Sequence, residues 1–403
     1  MIKIPESKYK NGLVQVHFDN VKDSISDTIN FYINCCNIIN DSLDANRYQD
    51  NILCNNNSAT FSSLVNIIKD DKCDVDGIYE ILKNKKVKDE FKKYCLEYNK
   101  LLTDMLDNNK KVYIGNIVKC EPKELLNIYD FIKNKYTGIK DSKGDTIFEE
   151  KSVKKSLFFD MLYKIFNYGK FSKKGDGLKS QNKEKWDAYD LCGKLGIKIC
   201  PYCNSQRINT VVTKTEDIIR PDLDHYFAQS RYPFFSLSFY NLVPSCGFCN
   251  TSIKSTKELD IEKHLHPYLD ETNCKFDYSI KNVDAFWGKE EEFDIILNPD
   301  IKIDSKSNKS LEFFYILTRY QDYKDEVSNL LKIRAENNDE RLKILKKTFP
   351  DFTTENFFKL HMKEPEKDNI IDEELGKLRW DIIQTLKTKE IVLSEENVNK
   401  KLK

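Results

Sequence analysis

Glycine and proline are scarce, 13 and 10 among 403 residues, which excludes collagen-like and low-complexity chains. A charge of one sign is missing as well. The 65 basic and 65 acidic side chains cancel, so the chain as a whole has no electrostatic pull towards nucleic acid or an anionic membrane, and any basic surface has to be local. No stretch approaches the roughly 18 to 20 uncharged apolar residues of a membrane span. The opening MIKIPESKYK lacks the apolar core of a signal peptide. Together these absences lead us to expect a cytoplasmic protein without membrane contact. What is present is a globular composition, 40% hydrophobic and 32% charged, in a chain long enough for about two to four domains.

The first half carries apolar residues at helical spacing, as in Ile25, Ile29, Tyr32, Cys36, Ile39 and Leu43, and predicts a helical N-terminal domain over 1–195. Further helices are expected around Val87 to Leu106 and Lys123 to Tyr136, with Asn55 to Ser58 marking a loop. Between 151 and 200, 12 lysines stand against 5 acidic residues, the one basic region of the chain. Lys151, Lys154, Lys155, Lys170, Lys173, Lys174 and Lys179 belong to it. A C-terminal domain is expected over 266–403. Phe276, Tyr278 and Ile280 alternate with polar residues and Phe293 to Leu297 is a short apolar run, a pattern of two short strands. After them Phe313, Leu317, Tyr320, Val327, Leu331, Leu342 and Leu345 fit one or two long helices, and Leu378, Ile382, Ile383 and Leu386 a last one.

Of the 12 cysteines, eight are scattered and are expected to act as small buried hydrophobes. The other four form Cys200-Pro-Tyr-Cys203 and Cys246-Gly-Phe-Cys249, with 42 residues between them. In a reducing compartment two such pairs form a tetrahedral zinc site with four cysteine ligands, which has no open position and is therefore structural. Closing a loop of that length costs several kcal/mol of chain entropy, and zinc binding of roughly 10 kcal/mol or more covers it.

Between the pairs lies Leu223-Asp224-His225, then the Tyr-Pro of Ser230-Arg-Tyr-Pro233, and the second pair is embedded in Asn241-Leu-Val-Pro-Ser-Cys246-Gly-Phe-Cys249-Asn250, with Lys254 soon after. In the order of these elements the segment 198–260 resembles the HNH endonuclease family. The resemblance implies a central ββα-metal (HNH) zinc-stabilised module over 196–265, which together with the periodicity of the flanks gives an expected fold that is mainly α, with a small β element after the module. It also implies a metal-dependent endonuclease hydrolysing phosphodiester bonds of DNA. His225 would be the general base, a side chain whose ordinary pKa of about 6.5 suits that role. Asp224 and Asn250 would hold a catalytic magnesium or manganese ion, hard cations that take oxygen ligands, and Asn241 would steady the loop and the orientation of His225. Asn250 stands where many members of the family carry histidine. Arg231, Lys254 and Lys257 are the expected phosphate contacts.

Members of this arrangement resemble effectors of bacterial anti-phage defence, which makes a separately encoded ATPase or sensor an expected partner. The long helical flanks offer surfaces for control or for an oligomer. No GxxxxGK[ST] occurs in the chain, so ATP use would belong to that partner. Two other readings stand beside this one, a nuclease acting on RNA and a non-catalytic zinc-stabilised adaptor that binds nucleic acid.

Overall fold

The computed structural model describes residues 1–45, 85–137, 157–175, 177–179, 185–213, 217–298 and 305–388. Among these residues the structure is mainly helical, with four small two-stranded sheets. Asn55 to Ser58 and Lys151, Lys154 and Lys155 lie outside the described residues.

The first half holds α1 (Leu13–Ala45), α2 (Lys85–Leu106), α3 (Ile114–Lys119), α4 (Pro122–Lys135), α5 (Leu157–Ile165) and α6 (Tyr168–Ser172). Along α1 the buried residues Val21, Ile25, Ile29, Tyr32 and Cys36 recur every three or four positions, and this stripe packs along α2, where Tyr98, Leu101, Leu102 and Met105 are buried. Each valine, leucine, isoleucine or methionine among them taken fully from water is worth about 1.5–3 kcal/mol. The same helix also touches α3 and α5 and the turn at Phe239–Asn241. It ties the N-terminal helices to the centre of the molecule.

The short strands β1 (Leu178–Lys179) and β2 (Lys185–Trp186) precede α7 (Ala188–Leu195), and β3 (Val211–Val212) pairs with β4 (Asp217–Ile219). At the centre β5 (Asp222–His225) pairs antiparallel with β6 (Leu242–Ser245), in the register Asp222 with Ser245 and His225 with Leu242. The chain then enters a π-helix over Phe248–Lys254. The expected hairpin follows as β7 (Phe276–Ile280) and β8 (Phe293–Leu297), five residues each.

Where one or two long helices were expected over 313–345, the chain instead forms α8 (Lys306–Phe313), α9 (Ile316–Tyr320), α10 (Lys324–Glu336) and α11 (Asp339–Thr348), before α12 (Thr354–Leu360) and α13 (Gly376–Thr388). Tyr315 takes the left-handed backbone conformation at φ 52°, which no helix interior accommodates, and so separates α8 from α9. Asn338 accepts a hydrogen bond from the Arg341 amide at 3.0 Å and starts α11 afresh. The apolar period runs through all four helices because each packs on the same core.

That core is continuous, running from Ile4 and Val21 through Phe239 and Tyr268 to Tyr320 and Ile382. His17 lies inside it with no exposed surface. Trp186 Nε1 donates to its Nδ1 at 3.1 Å, so Nε2 carries the proton and donates to the Leu237 carbonyl at 2.9 Å. Burial pushes the pKa of this ring down to about 4.

The neutral ring is therefore part of the folded state. Above the ordinary histidine pKa both folded and unfolded chains carry it uncharged. Below about 6.5 only the unfolded chain takes the proton, so stability is lost as pH falls towards 4, on the order of 2 kcal/mol by pH 5 from this one group. Glutamine keeps one donor and one acceptor without titrating. His17→Gln should give a shallower fall of melting temperature between pH 7 and pH 5 than the wild type, and equal slopes would show that His17 does not contribute.

Candidate metal centre and strand-end histidine

The chain is led into the first cysteine pair by α7. Asp187 caps this helix, accepting from the amides of Tyr189 at 2.8 Å and Asp190 at 3.2 Å, while Asp190 accepts in return from the Asp187 amide at 3.0 Å. Gly196 ends it with φ 59°, the left-handed position that glycine takes at no steric cost. Ile199 then bridges Arg207, and the turn between them carries Cys200 and Cys203.

Cys203 is followed by Asn204 at φ 52°, a conformation asparagine tolerates better than most residues. Both flanks of the protein grip this turn. The Ile2 amide donates to the Pro201 carbonyl at 2.8 Å and the Tyr320 hydroxyl to the Cys203 carbonyl at 2.5 Å. Asn204 is buried and donates from Nδ2 to the Ile370 carbonyl at 3.1 Å, and its Oδ1 accepts from the Lys377 amide at 2.8 Å.

The second pair lies on the turn out of β6, where the Cys249 amide points at Cys246 Sγ from 3.4 Å. All four cysteines are buried, and their sulfurs lie within 4.8 Å of one another, with Cys203 and Cys246 4.0 Å apart. Tetrahedral zinc with bonds of about 2.3 Å to sulfur would set them about 3.8 Å apart. Number, chemistry and spacing of these donors suit a metal ion such as zinc. Among the described residues no other group of three or more Cys, His, Asp or Glu side chains comes together in this way. Arg319 brings its guanidinium to 3.5 Å from Cys249 Sγ, beside the exposed Phe248 ring, and offsets negative charge on the thiolates.

Within the loop closed by the two pairs, Asp224 and His225 end β5 and Asn241 stands immediately before β6, while Asn250 follows the second pair on the π-helix. Successive strand residues face opposite sides, and the dipeptide divides accordingly. His225 is half-buried, its ring 4.4 Å from that of Tyr168 in an edge contact. Its Nε2 lies 3.1 Å from the Ser236 carbonyl, which can only accept, so Nε2 bears the proton and Nδ1 keeps the lone pair. Burial lowers its pKa to about 4.

Asn241 has no exposed surface. Its Oδ1 accepts from the Phe227 amide at 2.7 Å, and its Nδ2 donates to the carbonyls of Phe227 at 3.2 Å and Phe235 at 3.0 Å. These bonds clasp the loop that delivers the Ser236 carbonyl to His225.

Asp224 and Asn250 take separate partners. Asp224 is buried, and its Oδ2 accepts from the Tyr202 hydroxyl at 2.6 Å while its Oδ1 accepts from Lys254 Nζ at 2.6 Å. Asn250 donates to Asp222 Oδ2 at 3.3 Å. Lys254, expected from the sequence at a phosphate, is thus inside the protein with 3% exposure, because the π-helix directs it at Asp224. Arg231 is at the surface, 2.5 Å from Glu258 across a cleft of about 240 Å³. Lys257 is exposed, its ammonium 5.6 Å from the Tyr315 ring.

Sequence reasoning missed Tyr168, Tyr202, Asp222 and Ser236. Of these only Tyr202 had a signal, its place between two cysteines. The aromatic run from Tyr226 to Tyr240 is mostly core, with Tyr226, Phe227, Phe234, Phe235, Phe239 and Tyr240 buried.

Purified full-length protein should carry one zinc per chain. Cys246→Ser should lower zinc content by more than about half and markedly lower the melting temperature, since ligand loss removes folding free energy supplied by the metal. Elemental analysis that finds a folded wild type without bound metal would remove this assignment.

No protein-family model matches the chain, and no solved structure matches it. It is similar to "Protein ea31" of Escherichia phage lambda, 32% identical over 97 residues, which are 24% of this chain and 29% of that protein. The chain thus spans under a third of the length of this curated relative.

Proposed function

We propose that the chain is an endonuclease of the HNH type that hydrolyses phosphodiester bonds, with DNA as substrate. The observation that carries this reading is the strand-end His225, neutral through burial and fixed by the Ser236 carbonyl so that Nδ1 is the basic atom. The surrounding order of a paired-strand hairpin, a helical turn and a four-cysteine cluster agrees with a ββα-metal module. A general base must be unprotonated at working pH, and this one is.

On this reading Nδ1 of His225 removes a proton from water as the water oxygen bonds to phosphorus. The bond from phosphorus to the 3′ oxygen breaks, and that oxygen takes a proton from solvent. Tyr168 packs against the ring and Asn241 holds the loop that carries the Ser236 carbonyl, so the base keeps its aim. Lys257, exposed close to the end of the π-helix, and Arg231, once released from Glu258, would contact the phosphate backbone.

The magnesium or manganese ion implied by the resemblance does not fit the residues as they are arranged. Both oxygens of Asp224 are engaged, and Asn250 turns to Asp222. No step is assigned to that ion. We also infer from the resemblance a setting in anti-phage defence, with a separately encoded ATPase or sensor as partner.

The test is incubation of zinc-loaded protein with plasmid DNA and with RNA, with magnesium or manganese supplied. DNA cleavage is expected, lowered by at least ~10² in His225→Ala at unchanged zinc content. The base is active when deprotonated, so its acid limb should lie below the usual histidine range, with cleavage still near its plateau at pH 6. Cleavage of RNA alone would move the assignment to RNA. Equal rates for wild type and His225→Ala would make the histidine structural and favour the non-catalytic adaptor.

A further inference from the structure

Lys254 and Asp224 form an ion pair with only 4% of either side chain exposed. The ammonium donates to Asp224 Oδ1 and also to the backbone carbonyl of His225, while Tyr202 satisfies the other carboxylate oxygen. A carboxylate and a carbonyl converging on one positive centre are the donors that a hard cation takes.

The π-helix explains how a lysine comes to be there. The Ser255 amide bonds to the Asn250 carbonyl at 2.9 Å, five residues back, so the turn is one residue wider than an α-helical one. Asn250 and Lys254 form two rungs of this helix, and Asp222 and Asp224 are two positions apart on one face of β5. The rungs meet that face in order, amide to Asp222 and ammonium to Asp224.

We propose that Lys254 is the resident cation of this site, so that a divalent ion reaches Asp224 only by displacing it. The meaning of this for catalysis rests on the nuclease reading above, but the competition itself is a property of ion binding. Removing one partner of a buried pair leaves the other charge uncompensated. A divalent ion would then supply the missing charge.

The experiment titrates zinc-loaded full-length protein with manganese and follows free manganese by electron paramagnetic resonance. Lys254→Met is expected to bind one manganese ion per chain at least ~10-fold more tightly than wild type, with the gain abolished in Lys254→Met/Asp224→Asn. Affinities for Lys254→Met and wild type that agree within about two-fold would overturn the proposal. So would a gain that survives Asp224→Asn. Zinc content and circular dichroism check folding, and should Lys254→Met fold poorly, Lys254→Gln is titrated in its place with the same two outcomes. Loss of DNA cleavage in every protein, together with the Asp224-dependent gain in manganese binding, would refute the nuclease reading and leave this proposal standing.

Discussion

Four sulfurs separated by a 42-residue loop have to meet within 4.8 Å. Both strands of the central hairpin, β5 and β6, lie inside the loop they close. A hairpin of two four-residue strands cannot support itself in water, so β5 and β6 depend on this closure and on the helices packed around them. The closure depends in turn on the flanks. Ile2, Tyr320, Leu375 and Lys377 all hydrogen-bond within the Pro201–Asn204 turn. The cysteine cluster and the two flanks are thus mutually supporting, and the module is set into the helices around it.

Buried polar groups give this assembly its specificity. His17 joins α1 to β2 and to the loop before β6, and Asn241 closes the loop between β5 and β6. Asp381 reaches from α13 to the Phe276 amide at the start of β7, with Lys377 beside it. Each is satisfied on both sides, which is the condition under which a buried polar group fixes one arrangement instead of destabilising the core.

Much of this was legible in the sequence where one kind of residue carries one physical consequence. The stripe from Ile25 to Cys36 could only be a helix face, the alternation of Phe276, Tyr278 and Ile280 a strand, and the two cysteine pairs marked a cluster of sulfurs able to hold a metal ion. The position of His225 between those pairs marked it for attention. The breaks in the C-terminal helices were not legible, because tyrosine at residue 315 gives no hint of a left-handed backbone. Nor was the partition of Asp224 from His225. Adjacent in sequence, they are separated by the alternation of the strand, and their partners Tyr202, Lys254, Tyr168 and Ser236 come from 11 to 57 positions away, a distance that only folding closes.

The π-helix has a consequence for how this segment can vary. Its wide turn is set by the number of residues between Asn250 and Ser255, whose backbone sits at φ 45° and ψ −114°. Thr251 and Ser252 are exposed and open to substitution. Deleting either would leave the composition nearly untouched, yet it would rotate the following lysine by about a quarter turn around the helix axis. Here length is under tighter constraint than residue identity, so insertions and deletions, not substitutions, are the changes that would reassign the charge facing Asp224.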